Sequence, residues 1–147
     1  MIAVVGHRDL GSRTLELVEA ELRARLGRLA EGAAALVRAG AGLPLVSGRA
    51  ARETGRKLTV LLPAQGVVPA ALPEQDRLRL LAFDPADRDA CVCADERLVE
   101  ESRTVFAVWD GSRTDGRDAT AHLVAFARTR GIPVEVVWPE GSVRGRA

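Results

Sequence analysis

Short, unbroken apolar runs alternate along this chain with polar or helically patterned stretches. Met1 to Val5 is one such run and stops at Gly6, as a strand buried on both faces does. Ser12 is placed to cap a helix whose apolar positions Leu15, Val18, Leu22 and Leu26 recur at helical spacing. After Gly32, Ala33 to Ala39 reads as one or two further helical turns, and Leu43 to Val46 as a strand ending at Ser47-Gly48. Ala50 to Thr54 fits a short helix, and Leu58 to Leu62 is another apolar strand, closed by Pro63. Prolines and a glycine mark Gln65 to Pro73 as an exposed loop. Leu78 to Phe83 reads as a short strand in spite of Arg79, and Asp84-Pro85 introduces a helix from about Ala86 to Glu101. Val105 to Trp109 and Val134 to Trp138 are the last strands. The helix between them, from about Asp118 to Arg130, is stopped by Gly131 and Pro133.

Apolar strands alternating with amphipathic helices specify an α/β fold, a three-layer Rossmann-like parallel sheet with helices on both faces. The 147 residues are expected to form one domain, residues 1–147, with a flexible polar tail after about residue 140. Composition adjusts this picture only slightly. A hydrophobic share of 47% with 28% charged residues is globular. A net charge of +1 and an aromatic content of 3% argue against a nucleic-acid partner. Lys57 is the only lysine, so arginine carries almost all the positive charge and a single Arg is weak evidence for a site. Cys91 and Cys93, two apart on a helix, point to different faces and form neither a bridge nor a metal-ligand pattern. No metal and no resident cofactor are therefore expected, and a reducing cytoplasmic setting is. No run is long enough to span a bilayer, and the first residues lack a basic segment followed by an apolar core, so no membrane association is expected.

Parallel sheets bind ligands at the carboxyl ends of their strands, where helix N-termini present free amides. Three places qualify. In "VVGHRDLGS", Gly6 permits a tight turn, His7 is placed to contact a base or sugar, and Arg8 to hold a phosphate. The plain alternative has Arg8 paired with Asp9 and His7 packed on the first helix. In "LVSGRAARETG", Ser47 and Gly48 end a strand and leave backbone open to a ligand; the crossover to the next strand is at the minimum length for a parallel connection. In "AVWDGSRTDGRDATAHLVAF", Asp110 closes a strand, Gly111 and Gly116 shape the loop, and Asp118 or Thr120 caps the next helix. The acids Asp115 and Asp118 would repel a bare phosphate but suit ribose hydroxyls. His122 lies one turn into the helix.

These segments resemble the superfamily that joins the cytokinin-activating LOG proteins, the DNA-processing DprA proteins and bacterial nucleotide-sensor domains, called SLOG. The resemblance rests on "VVGHRDL", "LVSGRA" and, most densely, "AVWDGSRTDGRDATAHLVAFARTRGIPVEVVWP", which is similar to small actinobacterial members. It implies a Rossmann-like domain binding a nucleotide or ribose-phosphate ligand, often as a homodimer. Two departures bear on activity. LOG phosphoribohydrolases carry a Pro-Gly-Gly-x-Gly-Thr-x-x-Glu loop; with its Thr on Thr120, Ala119 stands at the Gly position and Leu123 at the Glu position. Leucine offers no acid, base or charge for glycosidic cleavage. The family's second loop reads Ser-Gly-Gly-Ala, followed by a Gly-Ala-Asp turn and a full helix, and "SGRAARETGRKL" lacks most of that piece.

The residues thus point to a domain that binds a nucleotide-derived ligand without a complete catalytic set. The alternative is an N-glycosidase acting on a nucleoside monophosphate, with Asp110 or Asp118 as the catalytic carboxylate. A Walker loop and a Gly-x-Ser-x-Gly elbow are both absent from the sequence.

Overall fold

The computed structural model describes residues 1–29, 34–38, 42–63, 77–81, 84, 86–114 and 118–145. Its elements run β1 (Ile2–Gly6), α1 (Ser12–Gly27), β2 (Ala35–Arg38), α2 (Leu43–Glu53), β3 (Leu58–Pro63), β4 (Arg77–Leu81), α3 (Arg88–Glu100), β5 (Thr104–Val108), α4 (Thr120–Thr129) and β6 (Val134–Val136). The strands form one sheet in the order β4-β3-β2-β1-β5-β6, and every neighbouring pair is parallel. This is the α/β, Rossmann-like arrangement that the alternation of runs implies.

Successive residues of β1 face opposite sides, so a continuous apolar run fills two cores at once. Ile2 and Val4 pack with Val18, Leu22 and Leu26 of α1 and with Val46 and Ala50 of α2. Ala3 and Val5 pack on the other face with Leu98 and Val99 of α3 and Leu123, Val124 and Ala127 of α4. Each large side chain buried this way contributes roughly 1.5–3 kcal/mol over its exposed state. Arg56, itself buried, closes the carboxyl end of α1 by donating to the carbonyls of Leu26 at 3.2 Å and Leu29 at 2.5 Å.

Two elements differ from the sequence expectation. Ala35 to Arg38, read as helix within Ala33 to Ala39, is strand β2 between β1 and β3. Leu43 to Val46, read as a strand, is the first turn of α2. Gly42, at φ 72°, turns the chain into that helix, and Pro44 sits in its first turn, where a missing N–H costs nothing. Ser47 and Gly48 are therefore buried mid-helix residues and do not end a strand. With α2 running to Glu53, the apparent shortening of the second crossover also disappears. Smaller shifts affect the caps. Gly11 takes the N-cap of α1, so Ser12 is its first residue, and Asp87 caps α3 by accepting from the amides of Asp89 and Ala90. The Gln65–Pro73 loop lies outside the described residues.

The polar stretch after Pro139, for which the sequence suggests fraying, lies back along α1 through to Gly145. Thr14 Oγ1 donates to the Val143 carbonyl at 3.0 Å and accepts from its amide at 3.1 Å. The amide of Gly145 donates to the Asp9 carbonyl at 2.6 Å. This strap passes over the carboxyl end of β1.

Gly6 is where strand, neighbour strand and helix converge. A Cβ there would lie 2.6 Å from Leu43 Cδ2 and 2.7 Å from both Cβ and the carbonyl oxygen of its register partner Val108. Gly6→Ala should therefore cost about 1–3 kcal/mol by overpacking. Gly111, at φ 86° with open space around its Cα, should cost about 1 kcal/mol as Ala through backbone strain alone. Urea denaturation of the two variants checks both values, and an unchanged midpoint for Gly6→Ala would contradict the close approach.

Candidate functional site

From β1 the sheet grows to one side through β2, β3 and β4 and to the other through β5 and β6, so the crevice beyond β1 and β5 is the topological switch point. His7 leaves β1 directly into it. Its amide still follows the ladder, donating to the Val108 carbonyl at 3.0 Å, while its ring is 1% exposed. A ring so buried needs partners for both nitrogens. The amide of Asp110 donates to Nε2 at 3.0 Å, which makes Nε2 an acceptor and assigns the ring proton to Nδ1, 2.8 Å from Asp118 Oδ2. Asp110 Oδ1 also lies 3.1 Å from Nε2, a distance that becomes a hydrogen bond only if Nε2 carries a second proton. The indole of Trp138 closes the remaining side edge-on, with ring centroids 5.6 Å apart.

The partners of His7 are themselves fixed. Asp110 Oδ1 accepts from the amide and hydroxyl of Ser112, forming a turn through Gly111. Asp118 Oδ1 accepts from the amide of Thr120 at 3.0 Å and from its hydroxyl at 2.6 Å, capping α4 as the sequence suggests. Burial pushes the Asp118 carboxyl upward, but the hydrogen bonds from His7 and Thr120 outweigh it and hold the pKa at about 2. For Asp110 burial again pushes upward and is outweighed, here by the hydrogen bonds from the hydroxyl and amide of Ser112, so its pKa is lowered.

Two residues that the sequence did not single out, Arg144 and Thr114, complete the group. Arg144, carried by the strap, donates from Nε to Asp9 Oδ1 at 3.1 Å, from Nη2 to Asp118 Oδ2 at 3.2 Å and from Nη1 to Ser112 Oγ at 3.3 Å. Thr114 Oγ1 accepts the amide of Ala121 at 2.8 Å, so the chain's own side chains occupy donors at the start of α4. His7, Asp9 and Asp118 each bring a metal-ligand type of atom within 4.8 Å of the others, a cluster hidden by sequence separation. A cation placed there would compete with the Arg144 guanidinium and with the Asp118–His7 bond.

Across β1 the rim is basic. Arg8 is exposed and makes no hydrogen bond or ion pair among the described residues, so it does not pair with Asp9. Its charge reaches Asp95 of α3, which Arg38 at the end of β2 grips through Nε at 2.6 Å and Nη2 at 3.2 Å. Burial still lifts the Asp95 pKa above its usual value, so this pair fixes geometry more than it adds stability. The N-terminus of α2 reaches the same rim, since Leu43 abuts Gly6.

Of the residues expected at the site, the structure brings Gly6, His7, Arg8, Asp110, Gly111, Asp118 and Thr120 to the β1/β5 end of the sheet. Ser47 and Gly48 belong to the interior of α2, where the Ser47 hydroxyl is buried without a hydrogen-bond partner among the described residues. Gly116 and Asp115 fall outside the described residues. His122 is exposed and turns to Glu96 of α3, 2.9 Å away, rather than to the loop.

The fold recurs in a cofactor carrier. Two solved structures of the molybdenum cofactor carrier protein of Chlamydomonas reinhardtii match this chain with TM-scores of 0.64 and 0.61 and identities of 22% and 21%. Each match covers 92% of this chain and 74% of the carrier. At that identity the likeness concerns the fold. No protein-family profile and no curated protein matches the sequence. Among the described residues no helix is long and apolar enough to cross a membrane.

Because the Asp118 pKa is depressed, the charged carboxylate stabilises the folded chain above about pH 4, and that stability is lost as pH falls toward 2. The loss should be on the order of 1–2 kcal/mol. Asp118→Asn should be less stable at neutral pH and should show a smaller decline between pH 4 and 2. Chemical denaturation across this window measures it; parallel curves for the two chains would show that Asp118 is not held by these bonds.

Proposed function

We propose that this chain is a small cytoplasmic domain that binds a phosphorylated heterocyclic ligand, a nucleotide or nucleotide-like cofactor, at the switch point beyond β1 and β5. The observation that carries the reading is the clamp on His7, which ties the ends of β1, β5 and α4 into one rim while the neighbouring Arg8 is left exposed and unpaired among the described residues. The two sides of that rim differ in chemistry. Arg8, Arg38 and the start of α2 suit a phosphate. Asp110 and the Ser112 turn suit hydroxyls or ring N–H groups. Membership of the SLOG superfamily, with the homodimer it implies, agrees with this division. So does the cofactor-carrying role of the structural neighbour, and the molybdenum cofactor belongs among the ligands to try.

Hydrolysis of a nucleoside monophosphate is the second reading, and it rests on Asp110. Asp118 is fully engaged by His7, Thr120 and Arg144, and a carboxyl with a pKa of about 2 cannot donate a proton at neutral pH. Asp110 is more exposed and would have to act alone.

Calorimetry and thermal shift with AMP, ribose 5-phosphate, ADP-ribose and the molybdenum cofactor test the binding reading. At a hundred times its Kd, a ligand should stabilise the fold by about 2.7 kcal/mol. Trp138, against the His7 ring, should report binding by fluorescence, and Arg8→Ala should weaken affinity roughly tenfold. Silence across this panel at millimolar ligand would overturn the proposal. Release of free base from AMP, abolished in Asp110→Asn, would instead establish the hydrolase.

A further inference from the structure

A second hollow opens on the other side of the β5–α4 loop. It has a volume of about 410 Å³, and its lining includes none of His7, Arg8, Asp9, Asp110, Asp118 or Arg144. That volume lies within the range of small-molecule sites. Trp109 forms one wall, and its indole is held rigid because Nε1 donates to the Ser112 carbonyl at 2.7 Å. Ala121, Val124 and Ala125 of α4 form the floor. These positions lie on a different flank of α4 from the one that meets α3 through His122–Glu96 and Arg130–Glu100. The small side chains of Ala121 and Ala125, and the open space at Gly111, are what leave the hollow unfilled.

Two arginines belong to this lining, Arg113 and Arg128. Arg23, Arg25, Arg38, Arg49, Arg130 and Arg144 all meet carboxylates. Arg113 and Arg128 meet none among the described residues. Asp115, the nearest acid in sequence to Arg113, lies outside the described residues, and Asp110 directs Oδ1 to Ser112. An apolar floor, a fixed aromatic wall and two arginines that meet no carboxylate among the described residues together select for a flat organic ring bearing a carboxylate or phosphate.

We propose that the hollow between the Trp109–Arg113 segment and α4 is a second ligand site, separate from the switch-point crevice, and that it takes a planar organic anion. The ring stacks against Trp109 and over the alanines, and the anionic group is held by Arg113 and Arg128. The chain would then hold two small molecules on either side of one loop, so that occupancy of one could be felt by the other through Asp110–Ser112.

The two tryptophans of the sequence separate the two sites, because Trp138 contacts His7 and Trp109 lines the hollow. In a Trp138→Phe chain, phenyl phosphate should change the fluorescence of Trp109 saturably, and inorganic phosphate should bind more weakly for want of the ring. Combining Arg113→Ala with Arg128→Ala should weaken phenyl phosphate binding by at least roughly tenfold. Ala125→Leu, a favourable helix residue that fills the floor, should abolish it with the fold intact by circular dichroism. In Arg8→Ala, which lowers affinity at the crevice, the Trp109 response should persist, so failure of the crevice reading would leave this signal untouched. Absence of a saturable response, its persistence in the double arginine variant or in Ala125→Leu, or its loss in Arg8→Ala, would each overturn the proposal.

Discussion

An imidazole with 1% of its surface exposed must have both nitrogens satisfied, and the need at His7 organises the carboxyl end of this sheet. One partner is the amide of Asp110, just past β5, and the other is the carboxylate of Asp118, just before α4. The residues that flank β1 in space, more than a hundred positions away in sequence, are thereby fixed relative to it. From that follow the turn through Gly111, the cap on α4 and the anchor for Arg144 on the strap. A ligand at the proposed site would meet a prearranged surface, which would lower the ordering cost of binding.

The same clamp divides the crevice by charge. On the β5 side hydrogen bonds hold Asp110 and Asp118 with lowered pKa values, so that neither is a ready proton donor, and the Arg144 guanidinium bridges Asp118 to Asp9. On the β2 side Arg8 and Arg38 extend the positive end of α2. The division favours recognition over proton transfer.

Most of the fold was legible because buried parallel strands announce themselves as unbroken apolar runs. β1, β3, β5, α1 and α4 lie close to where such runs and helical spacings put them. The failures have a common cause. Leu43-Pro44-Leu45-Val46 is as apolar as a strand, and only Gly42 and Pro44 indicate that it opens a helix. Ala35 to Arg38 is a strand of only four residues, among alanines that favour helix, and its sheet neighbours on both sides decide its state. Misplacing these two sent Ser47 and Gly48 to a strand end they do not occupy.

The site was half legible for a different reason. Gly6, His7, Asp110 and Asp118 stand at strand and helix ends, where local rules apply. Arg144 and the pairing of Asp9 with it depend on a strap whose sequence carries no periodic signal. The central claim is that His7 is locked through Nδ1 to Asp118. Nitrogen-15 NMR of histidine-labelled protein reads this directly. The account requires a proton on His7 Nδ1 that exchanges slowly with solvent and becomes labile in Asp118→Asn. A ring protonated on Nε2 alone, or one exchanging as freely as exposed His122, would contradict it.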